Sequence, residues 1–316
     1  MTEPGRTRPA VRIVTVDVGQ DGQRIDNFLA RTLKGVPKSY LYRILRKGEV
    51  RVNKGRIRPD YRLRVGDQVR IPPLRSAQPR AEARIPDTAA ERVQQALLYE
   101  DDDLLVLDKP AGIAVHGGSG LSFGIIEILR QLRPQAEYLE LVHRLDRDTS
   151  GCLLVAKRRA ALLELQAQLS DGMAKGYLAL VEGQWQGGKR TVSAPLRKNA
   201  LQGGERVVRV SDDGKPAVSR FAPVDGFREA SLMEVYLDTG RTHQIRVHAA
   251  YCGHPLAGDD KYGSAAFNRR MRALGLKRLF LHAHRLSFRR PGRVEELDIS
   301  APLPADLQNL LDTLER

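Results

Sequence analysis

Cysteine is almost missing from this chain: 316 residues hold two, Cys152 and Cys252, and no Cys-x-x-Cys pair. Neither a disulfide framework nor a thiolate zinc site is signalled, and both read as ordinary buried thiols. No stretch approaches the roughly 18 consecutive apolar residues of a membrane-spanning helix. The opening residues Met1 to Arg6 lack the apolar region of a signal peptide, so the expected location is the cytoplasm. There is no internal repeat. Gly117-Gly118-Ser119-Gly120 is not followed by the Gly-Lys-Ser/Thr ending of a phosphate-binding loop, and no His-Glu-x-x-His pattern occurs among the seven histidines. His243 with His248, and His282 with His284, are therefore not read as metal ligands. Glu100-Asp101-Asp102-Asp103 reads as an acidic turn before a strand.

Positive charge is abundant and unevenly placed. Of the formal net charge of +14, residues 1–80 carry most, with 19 Lys and Arg against 7 Asp and Glu, while the remainder is nearly balanced at 33 against 31. A basic segment on an almost neutral body suits a polyanion, because phosphate contacts release counterions. An acidic membrane surface fits less well, since these cations are interleaved with apolar periodicity. The length predicts two domains, and 41% hydrophobic with 28% charged residues places both among globular folds.

The basic segment has its own architecture. After a tail over residues 1–21, Gly22 to Ala30 opens a helix with Ile25, Phe28 and Leu29 on one face. A second helix is expected to start near Ser39 as N-cap, with Leu41, Ile44 and Leu45 inward, Arg43, Arg46 and Lys47 outward, and Gly48 as the left-handed stop. Val50-Arg51-Val52 alternates as a strand into a turn at Asn53-Lys54-Gly55, and Val65 to Ile71 reads as a turn and strand. Residues 76–92 show no apolar periodicity and read as a linker. The order of elements, with Arg24-Ile25-Asp26, Gly48 to Asn53 and Val65-Gly66-Asp67, resembles an S4 RNA-binding domain over residues 22–75. That resemblance implies that the face carrying Arg43, Arg46, Lys47 and Arg51 meets structured RNA.

Residues 93–316 mix strands and helices, which suggests an α+β domain. Strands are expected at Tyr138 to Val142, Asp103 to Asp108 and Cys152 to Ala156, and helices at Phe123 to Leu132, Ala160 to Leu169 and Ala265 to Lys277. The last carries Arg269, Arg270 and Arg272 and is expected to contact RNA or cap the domain edge. Between two apolar strands lies His143-Arg144-Leu145-Asp146-Arg147-Asp148-Thr149-Ser150-Gly151. Alternating charges there are costly unless they have a task.

Four segments together resemble the RluA-type pseudouridine synthases: this run, Lys109-Pro110-Ala111-Gly112, Lys175 to Gly183, and Thr239-Gly240-Arg241-Thr242-His243-Gln244-Ile245-Arg246-Val247-His248. The resemblance implies a mixed, mainly antiparallel sheet with a central cleft, and isomerisation of uridine to pseudouridine. It implies Asp146 as the catalytic residue, Tyr177 packed on the uracil, and Arg246 against Asp146. A guanidinium within reach favours the charged carboxylate and can bind it through two parallel hydrogen bonds. Arg241 is the less favoured partner because it sits in the turn. Thr242 is expected to cap the following helix.

Arg144 is implied as the wedge that fills the gap left by a flipped-out nucleotide; its bland alternative is a salt bridge to Asp148 or Glu140. His143, Ile245 and Arg241 are expected to line the substrate site. Arg147 and Asp148 are expected to hold the turn, and Thr149, Ser150 and Gly151 to shape its exit. Val115 to Gly124, Arg147 and Arg278 to Ala283 resemble one subgroup of the family. This implies 23S rRNA or a large-subunit assembly intermediate as partner, with no cofactor, metal or protein partner. Two rivals stand beside this reading: a noncatalytic RNA-binding assembly factor, and a nucleoside or glycoside hydrolase, which would need a second acid.

Overall fold

The computed structural model describes residues 11–33, 36, 38–73, 85–118, 121–202 and 205–315. The chain divides into two compact units, one ending at residue 84 and the other beginning at residue 85.

In the first unit, Ile25–Thr32 and Lys38–Arg46 are helices because their apolar residues recur on one face, and Ile25, Leu29, Leu41 and Ile44 are each at most 1% exposed. Burying each such side chain stabilises by about 1.5–3 kcal/mol. Arg43, Arg46, Lys47 and Arg51 remain exposed, as the amphipathic pattern requires. A four-stranded antiparallel sheet completes the unit, in the order Arg12–Thr15, Gln68–Ile71, Arg51–Val52, Gly55–Arg56. Gly48 adopts a φ of 68° just past the second helix, as expected of its stop. That helix begins at Lys38, so Ser39 lies inside its first turn and is not its cap.

The expected tail needs correction over its described part. Arg12–Thr15 is an edge strand paired to Gln68–Ile71, and Val16 behind it is buried. Four residues with a single buried neighbour carry too little alternation to be read as a strand. The linker is also shorter than expected. Ile85 is buried and Asp87–Gln94 is a helix with Val93 buried, packed in the core of the second unit with Ala89 and Ala90. The apolar face of that helix is mostly alanine, which hides its period.

The second unit is α+β. Its ten-stranded sheet runs in the order Arg190–Ser193, Val218–Gly226, Ala230–Leu237, Ala174–Glu182, Leu281–Arg289, Ser150–Ala156, Leu104–Lys109, Leu97–Glu100. Glu296–Ser300 pairs with Leu281–Arg289, and Glu140–Leu141 with Ser150–Ala156. The latter is all that forms of the strand expected over Tyr138 to Val142. One pairing is parallel, between Ser150–Ala156 and Leu281–Arg289, and the others are antiparallel. All seven residues of Ser150–Ala156 are buried, the mark of a strand covered on both faces. Helices Ile125–Leu132 and Ala265–Ala273 lie within the expected segments, and Arg159–Gln168 is offset by one residue from the expected Ala160 to Leu169. Tyr177 lies on Ala174–Glu182, which shares a neighbour, Leu281–Arg289, with the strand that follows Asp146.

Candidate active site

The loop His143–Gly151 is pinned at both ends and in the middle. The His143 ring accepts a hydrogen bond at Nε2 from the Leu154 N–H (3.1 Å), and burial pushes its pKa down to about 4, so the ring stays neutral. Leu145 is buried. At the exit, the Ser150 hydroxyl pairs with His282 Nδ1 at 2.9 Å and accepts from Arg278 at 3.2 Å. Gly151 has a φ of 108°, and a Cβ there would run into the Ala283 carbonyl across the parallel pairing. Only glycine permits so close an approach.

The middle pin comes from Lys109. Its buried ammonium donates to the carbonyl oxygens of Pro110 (2.9 Å), Ile113 (2.9 Å) and Arg147 (3.0 Å). Burial pushes its pKa down to about 7, with Asp148 and Asp146 pulling the other way. The folded value is thus below the ordinary unfolded value of about 10.4, so folding releases a proton between the two. Relative to Lys109→Met, the stability of the unsubstituted protein should be flat below pH 7 and rise above it. Thermal melts of both proteins from pH 6 to pH 9 measure this; a gap that does not change with pH would refute it.

Asp146 projects between two donors. Arg246 Nη1 stands 3.6 Å and His243 Nε2 3.8 Å from the same carboxylate oxygen, Oδ2. Among the described residues neither carboxylate oxygen accepts a hydrogen bond within 3.5 Å. The two parallel hydrogen bonds expected between Arg246 and Asp146 are formed instead with Asp259: Nε to Oδ2 and Nη2 to Oδ1, both 2.7 Å. Asp259 also accepts the N–H groups of Lys261 and Tyr262 at 2.9 and 3.0 Å. Burial opposes both charges of this pair, but their mutual hydrogen bonding wins. The Asp259 pKa is held below, and that of Arg246 above, its ordinary value. Arg246 is thus a fixed cation beside Asp146, with the Tyr262 ring 5.0 Å from its guanidinium carbon.

A narrow pocket of about 100 Å³ is lined by Arg144, Asp146, Tyr177, Arg241, His243, Ile245 and Arg246, with Leu145, Leu237 and Leu281 among its apolar walls. A wider cleft of about 690 Å³ shares Arg144, Tyr177, Leu237, Gly240 and Arg241 with it, and adds His143. Burial, aided by the charge of Asp146, pushes the Tyr177 hydroxyl above its ordinary value, so it stays protonated. Arg144 is exposed, and among the described residues it has no ion-pair partner; neither Asp148 nor Glu140 holds it. Asp148 pairs with Arg147 at 3.1 Å. Arg241 bonds the Pro216 carbonyl at 3.1 Å and forms no ion pair with Asp146.

Tyr262 and Asp259 are not marked by any sequence pattern, and His243 and Lys109 stand in matched segments without the roles found here. The expected Thr242 cap is not made; Gln244 accepts the Arg241 N–H at 2.9 Å, and the helix Gln244–Tyr251 is entered through His243 in the left-handed region, φ 55°. Arg270 pairs with Glu182 and Glu229, and Arg272 with Asp260, which ties the helix Ala265–Ala273 to its surroundings. Among the described residues no group of three or more His, Cys, Asp or Glu could hold a metal ion, and no helix is long and apolar enough to cross a membrane.

Comparison with known proteins agrees with this geometry. Residues 103–251 match the RNA pseudouridylate synthase family model and residues 23–69 the S4 domain. The chain is 57% identical, over 97% of its length and of theirs, to proteins named ribosomal large subunit pseudouridine synthase C from Salmonella typhi and Escherichia coli (strain K12). Among solved structures, human RNA pseudouridylate synthase domain containing 4 is 26% identical and superposes with a TM-score of 0.60, covering 73% of this chain and 97% of that one. A carboxylate flanked by two donors in a narrow pocket beside a buried tyrosine, joined to an S4 unit and matched over nearly its whole length, leads to one assignment: the chain belongs to the RNA pseudouridylate synthase family.

Proposed function

We propose that this enzyme isomerises uridines of 23S rRNA, free or in a large-subunit assembly intermediate, with Asp146 as the reacting group and with neither metal nor cofactor. The observation that carries the reading is the state of Asp146. Its carboxylate stands within 4 Å of a fixed cation, yet among the described residues no short hydrogen bond occupies its lone pairs. It faces a cation and is still free to react. Isomerisation requires the bond from uracil N1 to the anomeric carbon to break, the base to turn while trapped, and C5 to take the place of N1, with C5 giving up its proton and N1 gaining one. Asp146 serves either by attacking the anomeric carbon, giving a covalent ribosyl intermediate, or by removing a ribose proton to give a glycal. Tyr177 covers the uracil and, being protonated, does not start as a base. The apolar walls exclude water that would hydrolyse the intermediate.

Arg144, exposed and without an ion-pair partner among the described residues, is placed to fill the gap left by the flipped nucleotide. The basic helix face of the S4 unit, with Arg43, Arg46, Lys47 and Arg51, supplies affinity for the RNA backbone. The hydrolase rival is disfavoured, because Asp146 is the one acid among the residues lining the narrow pocket and glycoside hydrolysis uses two. The large-subunit substrate is the one in the names of the bacterial relatives. Carbodiimide labelling and reverse transcription of 23S rRNA tests it, in cells with the protein, without it, and rescued by Asp146→Asn. Stops should vanish without the protein and return only with the unsubstituted form; stops that persist without it would exclude 23S rRNA as substrate.

A further inference from the structure

Between the reacting carboxylate and the strand Glu205–Val210 lies a chain of groups that isomerisation as so far described does not use. The Val208 N–H, on the strand Glu205–Val210, donates to the Tyr262 hydroxyl oxygen at 3.0 Å. That hydroxyl lies 2.7 Å from His243 Nδ1. On the far side of the imidazole, Nε2 faces Asp146 Oδ2 at 3.8 Å. The tautomer follows from counting protons. Tyr262 keeps its proton, since burial raises its pKa, and among the described residues its hydroxyl has no acceptor but His243 Nδ1. Its one proton goes to Nδ1, and the neutral ring must then carry its own on Nε2. Burial lowers the His243 pKa despite the nearby charge of Asp146, so the ring is neutral at pH 7.

We propose that His243 and Tyr262 are a positioning pair for Asp146: Tyr262 fixes His243 as the Nε2–H tautomer, and that N–H and Arg246 together hold Oδ2. The proposal rests on Asp146 being the reacting group. Tyr262 serves both donors, because its ring lies under Arg246 and its hydroxyl bonds His243. The remaining gap closes with a shift of less than about 1 Å, the kind of tightening that catalytic hydrogen bonds undergo when substrate fills a site. The left-handed backbone of His243 fits this role, since it turns the ring back towards Asp146 at the start of the helix instead of continuing it.

Two substitutions separate positioning from mere structure. An asparagine amide can take the place of Nδ1 and keep the Tyr262 contact, but cannot reach Asp146. A glutamine amide can take the place of Nε2. Single-turnover rates on a 23S rRNA transcript, with the dissociation constant measured separately, should therefore fall about 10- to 100-fold for His243→Asn and recover for His243→Gln, with binding unchanged. Asparagine also tolerates the left-handed backbone better than glutamine, so a purely structural role predicts the reverse order. Tyr262→Phe, which keeps the ring under Arg246, should slow the reaction about 10-fold on its own and add nothing to His243→Gln. An undiminished rate in His243→Asn, or a Tyr262→Phe effect of equal size in both backgrounds, overturns the pairing. An unsubstituted protein that fails to convert the transcript overturns the isomerase reading beneath it, and is told apart because the variants are not needed to see it.

Discussion

Asp146→Asn should lower turnover by on the order of 10⁴-fold while RNA affinity stays the same or tightens slightly. Asparagine has the shape of aspartate but supplies neither an anionic oxygen for the anomeric carbon nor a base for the ribose proton, so either route stops. The fold should survive, because the Arg246 guanidinium keeps its two hydrogen bonds to Asp259 and is not orphaned when Asp146 loses its charge. The sign of the affinity change follows from charge, since removing an anion from a site that receives a polyanion cannot weaken long-range attraction. Single-turnover conversion and filter binding on one 23S rRNA transcript measure the two quantities. A fall in binding as large as the fall in turnover would make Asp146 a structural residue.

The parts of this site that could be read from sequence are those carried by short local patterns. Asp146, Tyr177 and Arg246 lie in three such segments, and all three line one pocket. What escaped depends on pairings that no local pattern records. The resemblance sets Arg246 against Asp146, yet its two hydrogen bonds go to Asp259, in an irregular segment with no periodicity. His243 is weighed in the sequence only as a metal ligand, and rejected as one; its closeness to Asp146 joins residues 97 positions apart, which no local pattern records. Lys109 looked like part of a turn; it is an internal strap, visible only once the Arg147 carbonyl lies against it. The basic helix of the first unit was legible because its polar and apolar residues alternate at helical spacing, whereas the edge strand Arg12–Thr15 and the alanine-faced helix Asp87–Gln94 were not, each lacking a large apolar stripe.

Asp259→Asn should cost about 3–5 kcal/mol of stability, the expense of leaving a buried charge without its partner. The side chain of Asp259 is fully inaccessible and that of Arg246 only 13% exposed, so solvent cannot replace what is lost. The substituted amide would turn a donor towards Arg246, and for a unit of this size the melting temperature should fall by about 6–20 °C. Because the Asp259 pKa is depressed in the fold, its contribution is complete above the ordinary unfolded value and is lost as pH falls through the lower folded value. The stability gap between the two proteins should therefore narrow in strong acid. Turnover should fall as well, since Arg246 then loses the two hydrogen bonds that fix it beside Asp146. The double substitution Arg246→Met with Asp259→Asn separates these effects. Removing both charges relieves the uncompensated burial, so much of the lost stability should return. Activity should not, because Asp146 then stands without its cation. Recovery of turnover along with stability would show that Arg246 supports only the fold.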